Sequence, residues 1–85
     1  MNQTSVSPHP VKFLTDRMMY WEVSEKLSRF GCYPIRREGP DWVWFNPITE
    51  KESVIPDREW EKLPKQTTRT AVRQLGIGWD EFLDA

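Results

Sequence analysis

Trp42-Val43-Trp44-Phe45 is the densest aromatic and β-branched run in the chain, and it reads as a β-strand. Immediately before it, Glu38-Gly39-Pro40-Asp41 carries turn chemistry. Earlier still, Cys32 to Arg37 is extended in character, and Pro34, which has no amide donor, suits an edge strand. On the other side, residues 46–51 (Asn46-Pro47-Ile48-Thr49-Glu50-Lys51) read as a loop, and Glu52-Ser53-Val54-Ile55 as a short third strand ended by Pro56. Three consecutive short strands joined by turns predict an antiparallel meander.

Helical periods flank the meander. Tyr20, Val23, Leu27 and Phe30 recur at spacings of three and four, one face of a helix over 16–30. Asp16 suits its N-cap and Gly31 its stop, and Glu22 and Lys26 stand four apart in the order that favours an exposed ion pair. Beyond Pro56, Asp57-Arg58-Glu59-Trp60-Glu61 suits a single helical turn capped by Asp57. A second helix opens at Pro64, in the N1 position, buries Ala71, Val72 and Leu75, and stops at Gly76. Trp79, Phe82 and Leu83 form a short terminal helix, with Asp80 and Glu81 well placed in its first turn. The expected fold is therefore α+β, in the order α-β-β-β-α(-α), with helices on one face of a three-stranded antiparallel sheet. Residues 1–15 are polar, carry Pro8 and Pro10, and show no apolar period, so they read as a flexible tail before a domain over 16–85.

Composition narrows the function. Eighty-five residues allow one small domain, and the absence of a run of about 18 apolar residues argues against a membrane-spanning helix. The N-terminus lacks the apolar segment of a secretory signal, so a cytoplasmic protein is expected. One cysteine, Cys32, and one histidine, His9, supply neither an internal disulfide nor a zinc constellation, and no cofactor is expected. Twelve basic residues against thirteen acidic ones give a net charge of −1, so any contact with RNA must use a local patch.

From Trp21 to Leu83 the chain resembles the HicA family, small toxins of type II toxin–antitoxin pairs. The resemblance is carried by Val23-Ser24-Glu25-Lys26-Leu27 leading to Gly31-Cys32, by Asn46-Pro47, by Val54-Ile55-Pro56 and by Leu63-Pro64-Lys65. Its longest segment is Thr68-Arg69-Thr70-Ala71-Val72-Arg73-Gln74-Leu75-Gly76-Ile77, followed by Trp79 and Phe82. It implies a double-stranded RNA-binding-domain-like fold, messenger RNA cleavage, and control by a HicB-type antitoxin. It also implies a catalytic histidine at the start of the second strand, after a pair of small residues. That position here is Asp41, preceded by Gly39-Pro40.

The replacement bears on chemistry. Metal-free RNA cleavage needs one group to take the 2′-OH proton and another to protonate the leaving oxygen, and imidazole titrates in the right range. A carboxylate has a reference pKa of about 3.9, is a weaker base, and repels phosphate. Two readings of Asp41 stand side by side: a surrogate acid, base or metal ligand with Glu38 near it, and an acceptor within the Gly39-Pro40 turn. His9, in the tail, is not positioned to substitute.

Other residues also carry paired readings. Lys65, Arg69 and Arg73 recur every four residues, with Lys62 just upstream, as a phosphate-binding ridge or as a solvated helix face. Arg36 and Arg37 flank the turn and add to the RNA reading. Trp21, Trp44 and Trp79 match apolar positions of the family, and the resemblance implies a place for them in the core. Trp42, Val43 and Phe45 suggest a partner-binding surface; by alternation Val43 and Phe45 share a side with Asp41, which the resemblance implies is the open face, unless Phe13 or Leu14 of the tail covers it. Trp60 is either a satellite core residue or a rim anchor for a partner. Cys32 reads as a buried structural thiol, since no base accompanies it.

Two functions follow. The first is a HicA-like protein, catalytically impaired, acting through RNA or antitoxin binding with Arg36, Arg37, Lys65, Arg69 and Arg73. The second is a protein-binding module or inhibitor that reuses the same scaffold through its open sheet face. A still-active endoribonuclease working through Asp41 is a third.

Overall fold

The aromatic run sits at the centre of the molecule. In the structure, a computed structural model that describes residues 17–58 and 60–85, it forms β2 (Asp41–Asn46), flanked by β1 (Tyr33–Glu38) and β3 (Lys51–Pro56). The sheet order is β1-β2-β3, and both pairings are antiparallel. Before the sheet comes α1 (Tyr20–Arg29); after it come α2 (Lys65–Gln74) and α3 (Trp79–Asp84). Among the described residues this is a small α+β domain, a three-stranded antiparallel sheet flanked by helices, and no helix is long and apolar enough to cross a membrane.

Alternation along β2 decides where the core lies. Trp44 and its cross-strand neighbourhood point to one face, where Trp44 and Ile55 are buried with Val23 and Leu27 of α1, Ala71 and Val72 of α2, and Phe82 of α3. The indole Nε1–H of Trp44 donates to the Tyr20 hydroxyl at 3.0 Å, so the largest buried side chain is also satisfied. Ser53, opposite Trp44, donates to Gln74 Oε1 at 2.7 Å and ties β3 to the end of α2.

Two helices end in the same way, and glycine is required at both. Gly31 and Gly76 have φ of +84° and +81°. The amides of Gly31 and Cys32 donate to Ser28 and Leu27, and those of Gly76 and Ile77 donate to Arg73 and Val72. At Gly76 space matters as well: a Cβ would lie 2.7 Å from Thr49 Cγ2, in the turn between β2 and β3.

Several expectations are corrected. The first helix starts at Tyr20 rather than in the region of Asp16, which with the tail of residues 1–15 lies outside the described residues. Long-range pairing sets that start: Leu63 N–H donates to Met18 O at 2.7 Å, and Met19 bridges Lys62. Glu22 does not pair with Lys26. Its carboxylate accepts the Met19 amide at 2.8 Å, capping the helix, while Lys26 Nζ donates to the carbonyls of Leu83 and Ala85. Trp21 is 62% exposed, because it lies off the Tyr20/Val23/Leu27/Phe30 face. Around the expected helical turn at 57–61 none of the described residues is helical, and Glu61 N–H donates to Arg58 O; Glu59 lies outside the described residues. Pro64 stands one residue earlier than expected, at the N-cap of α2.

Candidate functional site

The face of the sheet turned away from the helices is built by register. Tyr33 lies opposite Phe45, Arg36 opposite Val43, and Glu38 opposite Asp41; on the other side of β2, Val54 lies opposite Val43 and Glu52 opposite Phe45. A bulge between Pro34 and Arg36 makes this possible. Without it, Tyr33 would share a face with Ile35 and Arg37. With it, Tyr33 and Arg36 share the open face, and Arg37 goes to the helix side.

Arg36 organises this face. Its Nε donates to Glu38 Oε2 at 3.1 Å, and its Nη2 reaches Glu52 Oε1 at 3.4 Å. Since Glu52 stands on β3, the side chain crosses the central strand, and Val43 beneath that crossing is only 2% exposed. The hydrogen bond to Glu38, with Glu52 adding to it, raises the guanidinium above its ordinary pKa, so Arg36 stays charged. Around it the floor is apolar: Tyr33 meets Phe45 edge to face with ring centroids 5.8 Å apart, and Tyr33 and Val54 remain 48% and 46% exposed. A shallow hollow of about 490 Å³ is lined by Arg36, Glu38, Val43, Glu52 and Val54 and runs on to Ser53 and Gln74 of the helix side.

Asp41 opens β2 on this face, half-buried, across the Gly39-Pro40 turn from Glu38. Its carboxylate takes no hydrogen bond among the described residues, so it is not the acceptor that holds the turn. That contact comes from Arg37, whose Nε donates to Gly39 O at 3.1 Å. Three carboxylates, Glu38, Asp41 and Glu52, thus share one face, yet among the described residues no three acidic, histidine or cysteine side chains converge to hold a metal. The described residues contain no imidazole; His9 lies outside them.

The other candidates lie elsewhere. Arg37 stacks its guanidinium 4.9 Å above the Trp42 ring, on the helix side, where half-buried Trp42 packs against the core. Trp42 therefore does not join Val43 and Phe45 in one contact surface. Lys65, Arg69 and Arg73 are exposed on the flank of α2 away from its buried Thr68, Ala71 and Val72, with Arg69 6.0 Å over the Trp79 ring. This stripe belongs to the helix layer and is separated by the sheet from Arg36 and Asp41. Trp60, 88% exposed, stands in the segment between β3 and α2. Cys32 is buried, and burial pushes its thiol up, which suits a packing role rather than a nucleophile.

Sequence reasoning missed Tyr33, Glu38 as an Arg36 partner, Glu52 and Val54. The signal that could have found Glu52 and Val54 is alternation carried into β3; the bulge that places Arg36 leaves only Pro34 as a hint. No family model matches the chain, and no curated protein matches it.

Proposed function

We propose that this chain is a HicA-like protein with the double-stranded RNA-binding-type fold, without the family's catalysis, that acts in the cytoplasm by binding a protein partner through its open sheet face. One observation carries the reading: where the resemblance calls for a catalytic histidine on an RNA-facing surface, Asp41 stands opposite Glu38, with Glu52 farther along the same face, and Arg36, the one cation of this face among the described residues, is already held by Glu38 and Glu52. Among the described residues such a surface offers no imidazole to take a proton, and its carboxylates repel a phosphodiester. The exposed, partly apolar sheet around it supports protein contact. A HicB-type antitoxin is the partner that the resemblance suggests.

A second reading keeps RNA at a different place. Lys65, Arg69 and Arg73, exposed on one flank of α2, form a local basic stripe of the kind that contacts phosphates. Binding there would weaken steeply with salt.

Incubation of the native protein and an Asp41→His variant with a long single-stranded transcript, chelator present, tests the catalytic part. The native protein is expected to leave the transcript intact and the variant to gain cleavage, because general acid–base chemistry is worth about 10²–10⁴-fold. Cleavage by the native protein would show that the family histidine is dispensable here and overturn the proposal.

A further inference from the structure

We infer that the open sheet face receives a cationic, partly apolar stretch of its partner, and that Arg36 is the placeholder which a lysine or arginine of that partner displaces from between Glu38 and Glu52. The inference rests on the reading of this face as a protein-binding surface and adds the chemistry of the occupant.

Charge selects that occupant. Glu38, Asp41 and Glu52 against Arg36 leave this one face at −2, more negative than the whole chain at −1. Arg36 answers two of the carboxylates, and Asp41 has no cation partner among the described residues. A nucleic acid or an acidic peptide would bring further negative charge to a surface that already has an excess. A second copy of the chain, docked face to face, would set the same excess against itself. A basic partner is the one occupant whose charge the surface completes.

The floor supplies the rest. Tyr33 and Phe45 share a cross-strand row with Glu52, Val54 follows Glu52 on the same face of β3, and none of the three is covered by an element among the described residues. Apolar side chains alternating with cations would place the former on this floor and the latter at its acidic rim. Arg36 does not lock the site against them. Its side chain and those of Glu38 and Glu52 are each about half exposed, and ion pairs so open to water are held weakly. When the guanidinium swings away, Val43 at the centre of the sheet becomes available as well.

The probe is a blocked peptide, KVKTKVKTK, titrated into the full chain at low and high salt while the backbone amides of the sheet are followed by NMR. Its charge-reversed counterpart EVETEVETE and a short single-stranded RNA are titrated in parallel. The expected result is saturable, salt-weakened binding of the basic peptide, with shifts centred on Tyr33, Val43, Phe45 and Val54, and none of the acidic one. Arg36→Gln, which frees both carboxylates, should tighten binding about two- to fivefold, and Glu52→Gln should weaken it by a similar factor, the range of exposed ion pairs. Both substituted side chains are exposed, so the variants should fold, and circular dichroism checks that they do. If the basic peptide leaves the sheet amides unmoved, or if Arg36→Gln weakens its binding, the inference fails while the protein-binding reading survives. If RNA shifts these same amides and Arg36→Gln reduces that effect, the protein-binding reading itself fails.

Discussion

Replacing Asn46 with alanine should loosen the joint between the sheet and α2. Asn46 is buried at the end of β2, where its Nδ2 donates to Leu75 O at 2.8 Å and its Oδ1 accepts the Ile48 amide at 3.0 Å. Leu75 is the C-cap of α2, so its carbonyl has no partner within the helix. Thr49 Oγ1 donates to the same carbonyl at 2.9 Å. A neutral hydrogen bond contributes about 1 kcal/mol net, so Asn46→Ala removes about 2 kcal/mol. In a domain of this size 1 kcal/mol corresponds to about 4–8 °C, giving an expected drop in Tm of about 8–16 °C by circular dichroism. Thr49→Val, which removes one bond, should lower Tm about half as much. The double variant strands the Leu75 carbonyl, and its loss should exceed the sum of the two single losses. A drop below about 3 °C for Asn46→Ala, or strict additivity in the double variant, would refute this account of the joint.

Two further outcomes are expected. Thr68 is fully buried in α2 and its Oγ1 has no hydrogen-bond partner among the described residues, so Thr68→Val should raise stability by about 1 kcal/mol, whereas a lower Tm would show that the hydroxyl is satisfied in solution. Stability should also fall at alkaline pH, because burial raises the pKa of both the Cys32 thiol and the Tyr20 phenol. Above their ordinary values of 9.0 and 10.0 the unfolded chain releases protons that the folded chain still holds, so stability is complete below about pH 9 and declines as pH rises through the folded values. Urea melts between neutral and alkaline pH measure this, and Cys32→Ala should remove the earlier part of the decline; a flat profile contradicts the assignment.

Much of the fold was legible because its signals are local. The aromatic density of residues 42–45, the Gly39-Pro40 turn and the glycines at 31 and 76 place the meander and the helix ends without reference to anything distant. Trp21 shows the value of periodicity over resemblance. Family likeness directs it inward, but it falls off the Tyr20/Val23/Leu27/Phe30 stripe, and the structure leaves it exposed. What stayed hidden depends on contacts remote in sequence. The start of α1 is fixed by residues more than forty positions away, through the Met19–Lys62 bridge. The candidate surface depends on one bulged residue, which decides which of the alternating neighbours Arg36 and Arg37 shares the open face with Tyr33. Neighbouring arginines in a strand look alike as letters; register gives one a pair of carboxylates and the other an indole.

The same bulge shapes how the outer border of the sheet behaves. Every residue of β1 is exposed, which in a straight strand would invite another chain to pair along it. Here Pro34 has no amide hydrogen to offer, and the irregularity that follows it breaks the even spacing that an incoming backbone would need. Regular main-chain pairing along this border is therefore disfavoured, which works against edge-to-edge stacking by this route. Anything that settles on the sheet must be told apart by its side chains.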